Sequence, residues 1–230
     1  MNPTYKNKGI LYVVATPIGN LDDLTLRALN VLKSADAVAC EDTRETLKLL
    51  NHYHIKKRLI SYFHPKEKQK LPLIISLLNK GKNIALVSDA GTPGLSDPGF
   101  PLIREALNHK IKIVPIPGPS AVTAALPVSG LPTHRFLFLG FPPVKKTAIR
   151  KLLTSLKDEP STLVFYLPTR KIPNFLKYIN DVLGAREIVI AREMTKVYEQ
   201  FIRGTSEEIL DNIDSLTLKG ETTLLIQGFM

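Results

Sequence analysis

Short apolar runs and longer amphipathic stretches alternate through the first half of the chain. Runs at 11–15, 37–40, 58–61, 84–87 and 111–114 are the length of buried strands, and helical spacing fills 24–33, 43–51, 66–80 and 101–109 between them. Strand-helix alternation of this kind predicts right-handed crossovers and a parallel sheet. Ligands of such sheets sit beyond the carboxyl ends of the strands. The least ordinary residues of this sequence fall there.

The second half is more mixed. Strands are predicted at 136–139, 162–166, 187–191, 199–204 and 222–227, and helices at 147–156, 174–183 and 206–213. Only 192–198 separates two of these strands, too short for a helical crossover, so that pair is expected to be antiparallel. The proline-rich connection 115–119 suggests two α/β domains, 1–117 and 118–230, with a cleft between them. The longest stretch without a formal charge, 113–133, contains Pro115, Pro117, Pro119, Pro127 and Pro132. It reads as a strand, a turn and a short helix, not as a membrane span.

Composition narrows the classes. With 230 residues, 44% of them hydrophobic, the chain has material for real cores. Its one cysteine, Cys40, forms no internal disulfide, and no Cys/His cluster suggests a structural metal. The polar start lacks a secretory pattern, so a cytoplasmic protein is expected. The net charge is +10, with 17 basic and 10 acidic residues in 1–120 against 14 and 11 in 121–230. That surplus suits a polyanionic partner without identifying it.

Four post-strand segments are richer in Gly, Pro and small polar residues than a connection requires. The first, 15–23, holds Pro17, Asn20, Asp22 and Asp23. One aspartate is expected to cap the next helix, which leaves the second carboxylate and Asn20 over. The second is Glu41-Asp42-Thr43-Arg44, with one acid as a cap and Arg44 open to either a surface ion pair or a functional role. The third, 88–99, carries Ser88, Asp89, Ala90, Gly91 and Thr92. Its three glycines and two prolines shape a loop whose backbone can approach a ligand, and Asp89 stands where a hydroxyl or ammonium could bind. In the fourth, 115–121, a rigid turn sets Ser120 and Ala121 at a helix start, which favours a negative ligand group. No P-loop, GxGxxG or nucleophile elbow occurs, which disfavours a kinase, an NAD enzyme and an α/β-hydrolase.

Taken in order, these segments resemble the tetrapyrrole-methylase superfamily of S-adenosylmethionine (SAM) enzymes, and within it the ribosomal RNA small-subunit methyltransferase I family. The matching stretches are ATPIGNLDDLTLRAL from Ala15, EDTRETLKLL from Glu41, ALVSDAGTPGLSDPG from Ala85, VPIPGPSAVTAAL from Val114 and GLPTHRFLFLGFPP from Gly130. AREMTKVYEQFIRGT from Ala191 and KGETTLLIQG from Lys219 continue the match.

The resemblance implies a two-domain class III SAM methyltransferase fold: a parallel-sheet N-terminal domain, a mixed-sheet C-terminal domain and SAM in the cleft. It implies a homodimer that methylates the ribose 2′-hydroxyl of a cytidine in the decoding region of 16S rRNA, in the small ribosomal subunit, with no membrane or DNA partner. Carried over, the SAM residues are Pro17, Ser88, Asp89, Ala90, Gly91, Thr92, Ser120, Ala121, Tyr166 and Ala191. Asn20, Asp22, Asp23, Glu41, Asp42 and Arg44 fall on the catalytic side, where one carboxylate would order or accept the hydroxyl proton and Arg44 would hold a phosphate.

The chain also departs from the family. Members carry a Glu and a His where Leu167 and Arg170 stand, and a His-(Asp or Glu)-His-Asn-Glu stretch where this chain has Phe63-His64-Pro65-Lys66-Glu67. Many members continue past the last strand, whereas this chain ends at Met230. The altered stretches keep two alternatives open: a divergent paralogue acting on another RNA or a small molecule, and a noncatalytic RNA-binding protein with a SAM fold. Basic clusters at 56–58, 66–70, 145–151 and 170–171 favour RNA over a small molecule.

Overall fold

The computed structural model describes residues 8–64, 67–217 and 219–229. Pro65 and Lys66 of the altered stretch lie outside them. By its internal contacts the chain forms two compact units that divide after Ser120, against the expected 117/118.

The first unit is a doubly wound α/β layer structure. Its strands are β1 (Ile10–Val14), β2 (Ala37–Cys40), β3 (Arg58–Ser61), β4 (Ile84–Val87) and β5 (Lys112–Ile116). They pair in the order β3-β2-β4-β1-β5, all parallel. Alternation along each strand supplies both faces of the sheet. Ala37, Ala39, Ile84 and Leu86 join a cluster with Ile74, Leu78 and Leu102 of α3 (Glu67–Asn79) and α4 (Phe100–Asn108). Val38, Cys40, Ala85 and Val87 join one with Ala28, Leu32, Leu49 and Leu50 of α1 (Leu26–Ser34) and α2 (Thr43–His52).

The expected cap of α1 is corrected. Thr25, not Asp22 or Asp23, closes its N-terminus, with the Ala28 N–H donating to its hydroxyl at 3.1 Å. The Asn20 side chain instead accepts from the Asp22 N–H and caps a separate 3-10 turn, Leu21–Asp23. Strand β5 also runs two residues past the expected end, through Pro115. It is an edge strand, where a missing N–H is tolerated. Ile116 faces β1, its carbonyl accepting from the Ala15 N–H at 3.2 Å, so strand alternation turns the Pro115 nitrogen to the open edge.

The second unit begins with α5 (Ala121–Ser129) and contains β6 (Phe136–Gly140), α6 (Lys146–Ser155), β7 (Thr162–Tyr166), α7 (Ile172–Leu183), β8 (Glu187–Arg192), β9 (Gln200–Thr205), α8 (Ser206–Asp211) and β10 (Thr222–Ile226). Strand order is β6-β7-β10-β8-β9; β6 and β7 are parallel and the remaining neighbours antiparallel, including the β8–β9 pair. Leu163, Phe165, Ile188, Ile190, Leu224 and Ile226 pack with Leu153, Phe175, Leu176 and Ile179 on one face of this sheet. No helix of the described residues is long and apolar enough to cross a membrane.

Candidate active site

Three of the four loops are tied together where β1, β4 and β5 end. Thr16 and Gly91 exchange backbone hydrogen bonds, Thr16 N–H to Gly91 at 2.9 Å and Gly91 N–H to Thr16 at 3.0 Å. The Thr16 hydroxyl donates to the Ser88 carbonyl at 3.1 Å, and the Thr92 hydroxyl to the Pro119 carbonyl at 3.2 Å. Gly91 holds a φ of +81°, which a side chain would strain, and this turn brings its N–H and carbonyl back onto Thr16. Pro17, Ser88, Gly91 and Ser120 are buried in this knot, while Asp89 and Ala90 are exposed at its surface.

The second loop joins through Asp89, whose carboxylate accepts the Asp42 N–H at 2.9 Å. Asp42 caps α2, accepting the Arg44 N–H at 2.8 Å. Arg44 then folds back over it, with Nη2 at 2.6 Å and Nε at 3.1 Å. This pair holds the Asp42 carboxyl down at about 2, although the Arg44 side chain stays 85% exposed.

The neighbouring acids shift the other way. Glu41 is pushed up to about 7, first by burial and then by the charges of Asp89 and Asp97. Asp97 is pushed up to about 6 by burial and Asp89, partly offset by the Ser88 hydroxyl. Asp89 is raised as well, by partial loss of solvent. The buried Glu67 adds its charge to the group and accepts the Gly99 N–H at 3.2 Å, fastening the far end of the third loop. Among the described residues, no three His, Cys, Asp or Glu side chains converge to hold a metal ion.

The other expected residues stand elsewhere. Asp22 and Asp23 are exposed on their 3-10 turn and act on Tyr53, at the C-terminal end of α2, whose phenol burial and these two charges raise. Asp42 is at the opposite end of that helix, so the four acids do not form one set. Ala121 opens α5 and Ala191 lies in β8 opposite Phe201 and Thr223. Tyr166 ends β7 against Phe138 and Phe141, with ring centroids 4.9 and 5.6 Å away. The sequence pattern does not single out Thr16, Glu67 or Asp97. Asp97 sits inside the third motif, and Glu67 is the acid retained in the altered 63–67 stretch, so both left a signal.

The tetrapyrrole (corrin/porphyrin) methylase family model matches residues 10–210. A ribosomal RNA small subunit methyltransferase I from Halalkalibacterium halodurans is 48% identical over 223 residues, 96% of this chain and 77% of that protein. Its counterpart from Thermotoga maritima is 44% identical over 220 residues, 96% of this chain and 99% of that protein.

The chain belongs to the ribosomal RNA small subunit methyltransferase I family.

Within the wider tetrapyrrole methylases the fold persists at low identity. The cobalt precorrin-4 methyltransferase structure superposes with a TM-score of 0.72 at 17% identity, covering 99% of this chain and 98% of that one. A family methyltransferase thus carries its loop knot and its raised carboxyl at the carboxyl ends of the first sheet, where a parallel α/β layer presents its ligand groups.

Proposed function

We propose that this protein methylates the ribose 2′-hydroxyl of a cytidine in the decoding region of 16S rRNA, within the small ribosomal subunit, using SAM. The observation that carries this reading is identity of 48% and 44%, along 96% of the chain, to relatives named for small-subunit rRNA methylation. The loop knot suits the donor: one oxygen of the exposed Asp89 carboxylate accepts the Asp42 N–H, and the other is left to offer to an ammonium or hydroxyl. The cofactor residues in this proposal are Pro17, Ser88, Asp89, Ala90, Gly91, Thr92 and Ser120 of the first unit and Ala121, Tyr166 and Ala191 of the second.

When bound, SAM supplies an activated methyl on a sulfonium. The protein's task is then to align the hydroxyl and take its proton, because a ribose hydroxyl is a weak nucleophile at neutral pH. Glu41 fits the proton-accepting role best among Asp22, Asp23, Glu41 and Asp42. A group that titrates at about 7 is both available as a base and strong enough to hold the proton. Asp42, at about 2, is too weak a base, and its role is to place Arg44 and the start of α2. Asn20 and Arg44, both exposed, face RNA in this proposal, and Arg44 reaches a phosphate. The protein acts as a homodimer in the cytoplasm, with no membrane or DNA partner.

The test is transfer of labelled methyl from SAM to small ribosomal subunits that lack the modification, followed by mapping of the methylated nucleoside. A 2′-O-methylcytidine in the decoding region is expected. No transfer despite tight SAM binding defeats the proposal.

A further inference from the structure

At one end of the second sheet, a loop and a short segment ending in a 3-10 turn, Thr169–Lys171, leave parallel neighbours side by side and are similar in make-up. After β6 comes Phe141-Pro142-Pro143-Val144-Lys145-Lys146, and after Tyr166, which ends β7, comes Leu167-Pro168-Thr169-Arg170-Lys171. The β6–β7 register shifts between Phe138 and Gly140, and Gly140 has a φ of +62°. This bulge re-aims the chain so that Phe141 lies edge-on against Tyr166 and still leaves 59% of its surface in solvent. Val144 beside it is 81% exposed.

Four cations follow these rings in the two segments. Among the described residues, none of Lys145, Lys146, Arg170 and Lys171 enters an ion pair. Lys145 and Lys171 are the N-cap residues of α6 and α7, where neither makes a side-chain capping bond and no acid occupies the first turn. Cations at the positive end of a helix dipole oppose helix stability. Two neighbouring helices carry that unfavourable arrangement beside exposed aromatic surface, which is the pairing of features that binds nucleic-acid strands.

We propose that this face of the second unit docks single-stranded RNA, with a base laid on Phe141 and successive phosphates against Lys145, Lys146, Arg170 and Lys171. The inference rests on the RNA reading above and adds where the strand flanking the target is held. Stacking on an exposed ring tolerates any base, so this surface contributes affinity and register, not choice of nucleotide.

The test uses the full-length protein, an unstructured oligocytidylate followed by fluorescence anisotropy across a salt series, and methyl transfer to undermodified small subunits. Lys145→Glu/Lys146→Glu/Arg170→Glu is expected to weaken oligonucleotide binding by about tenfold or more and raise the KM for subunits, with SAM affinity unchanged. The charge-neutral Lys145→Gln/Lys146→Gln/Arg170→Gln form should flatten the slope of log K against log salt by about 2, at roughly 0.7 per lost phosphate contact. Phe141→Ala should cost about tenfold in affinity and Phe141→Tyr little, which separates stacking from general damage. If wild type methylates subunits and all these variants bind RNA as it does, the surface is wrong while the function stands. Loss of self-association with RNA affinity intact would show a protein interface there and also overturn it. Wild type that neither binds RNA nor transfers methyl overturns the function beneath the inference.

Discussion

Glu41 and Asp42 are adjacent in sequence and opposite in electrostatics. Burial and the charges of Asp89 and Asp97 raise Glu41 to about 7, while Arg44 holds Asp42 at about 2. With Glu41 as the base, the methyl-transfer rate at saturating SAM should rise with pH through about 7. Glu41→Gln should abolish that rise and lower the rate by about 10²- to 10⁴-fold, with SAM affinity unchanged in calorimetry. The same residue marks stability. A carboxyl raised in the folded state binds a proton that the unfolded chain has released, so its contribution is full below the ordinary value of 4.5 and is lost as pH rises to about 7. Urea midpoints should therefore fall less between about pH 5 and about pH 8 in Glu41→Gln than in wild type. Asp42 has the reverse sign: its contribution is present above its ordinary value of 3.8 and is lost as pH falls toward about 2. Arg44→Ala should move the midpoint of the Asp42 carboxyl titration, followed by NMR, back up toward that ordinary value.

At the scale of the element, cap identity is decided by geometry that neighbouring residues compete for. Asn20, Asp22, Asp23 and Thr25 can all cap a helix, and the sequence pattern favours an aspartate. The intervening 3-10 turn takes Asn20 as its own cap and leaves Thr25 beneath the first turn of α1. Thr25→Ala should lower unfolding free energy by about 1 kcal/mol in urea titrations, whereas Asp22→Ala and Asp23→Ala should leave it within about 0.5 kcal/mol. The strand-helix alternation of the first unit and the antiparallel β8–β9 pair are legible in periodicity and connection length, because both reflect local chain geometry. The family is legible because its motifs are long and in register. Less legible is what depends on distant partners: the Thr16–Gly91 exchange joins residues 75 positions apart, and the hold of Glu67 on Gly99 spans 32. Neither leaves a periodic trace. Pro115 hides the end of β5 for a simpler reason, since proline reads as a strand end until its place at an edge is known.

On the scale of the whole molecule, the first unit buries both faces of its sheet, so a strand side chain supports one helix layer or the other. Leu86 is almost fully buried on the α3–α4 side, and Leu86→Ala should cost about 2–5 kcal/mol in chemical denaturation, the range for a cavity in a packed core. The sheet still has to end somewhere, and β5 is one of its ends. An open edge offers a row of donors and acceptors to any extended chain that passes. Pro115 removes the donor it would have turned outward, so the same residue that hides the end of the strand from a sequence reader hides the edge from other chains. Pro115→Val should leave methyl transfer intact and shorten the time to turbidity on concentrating or warming the protein, which makes a proline beside the active loops a safeguard against self-assembly.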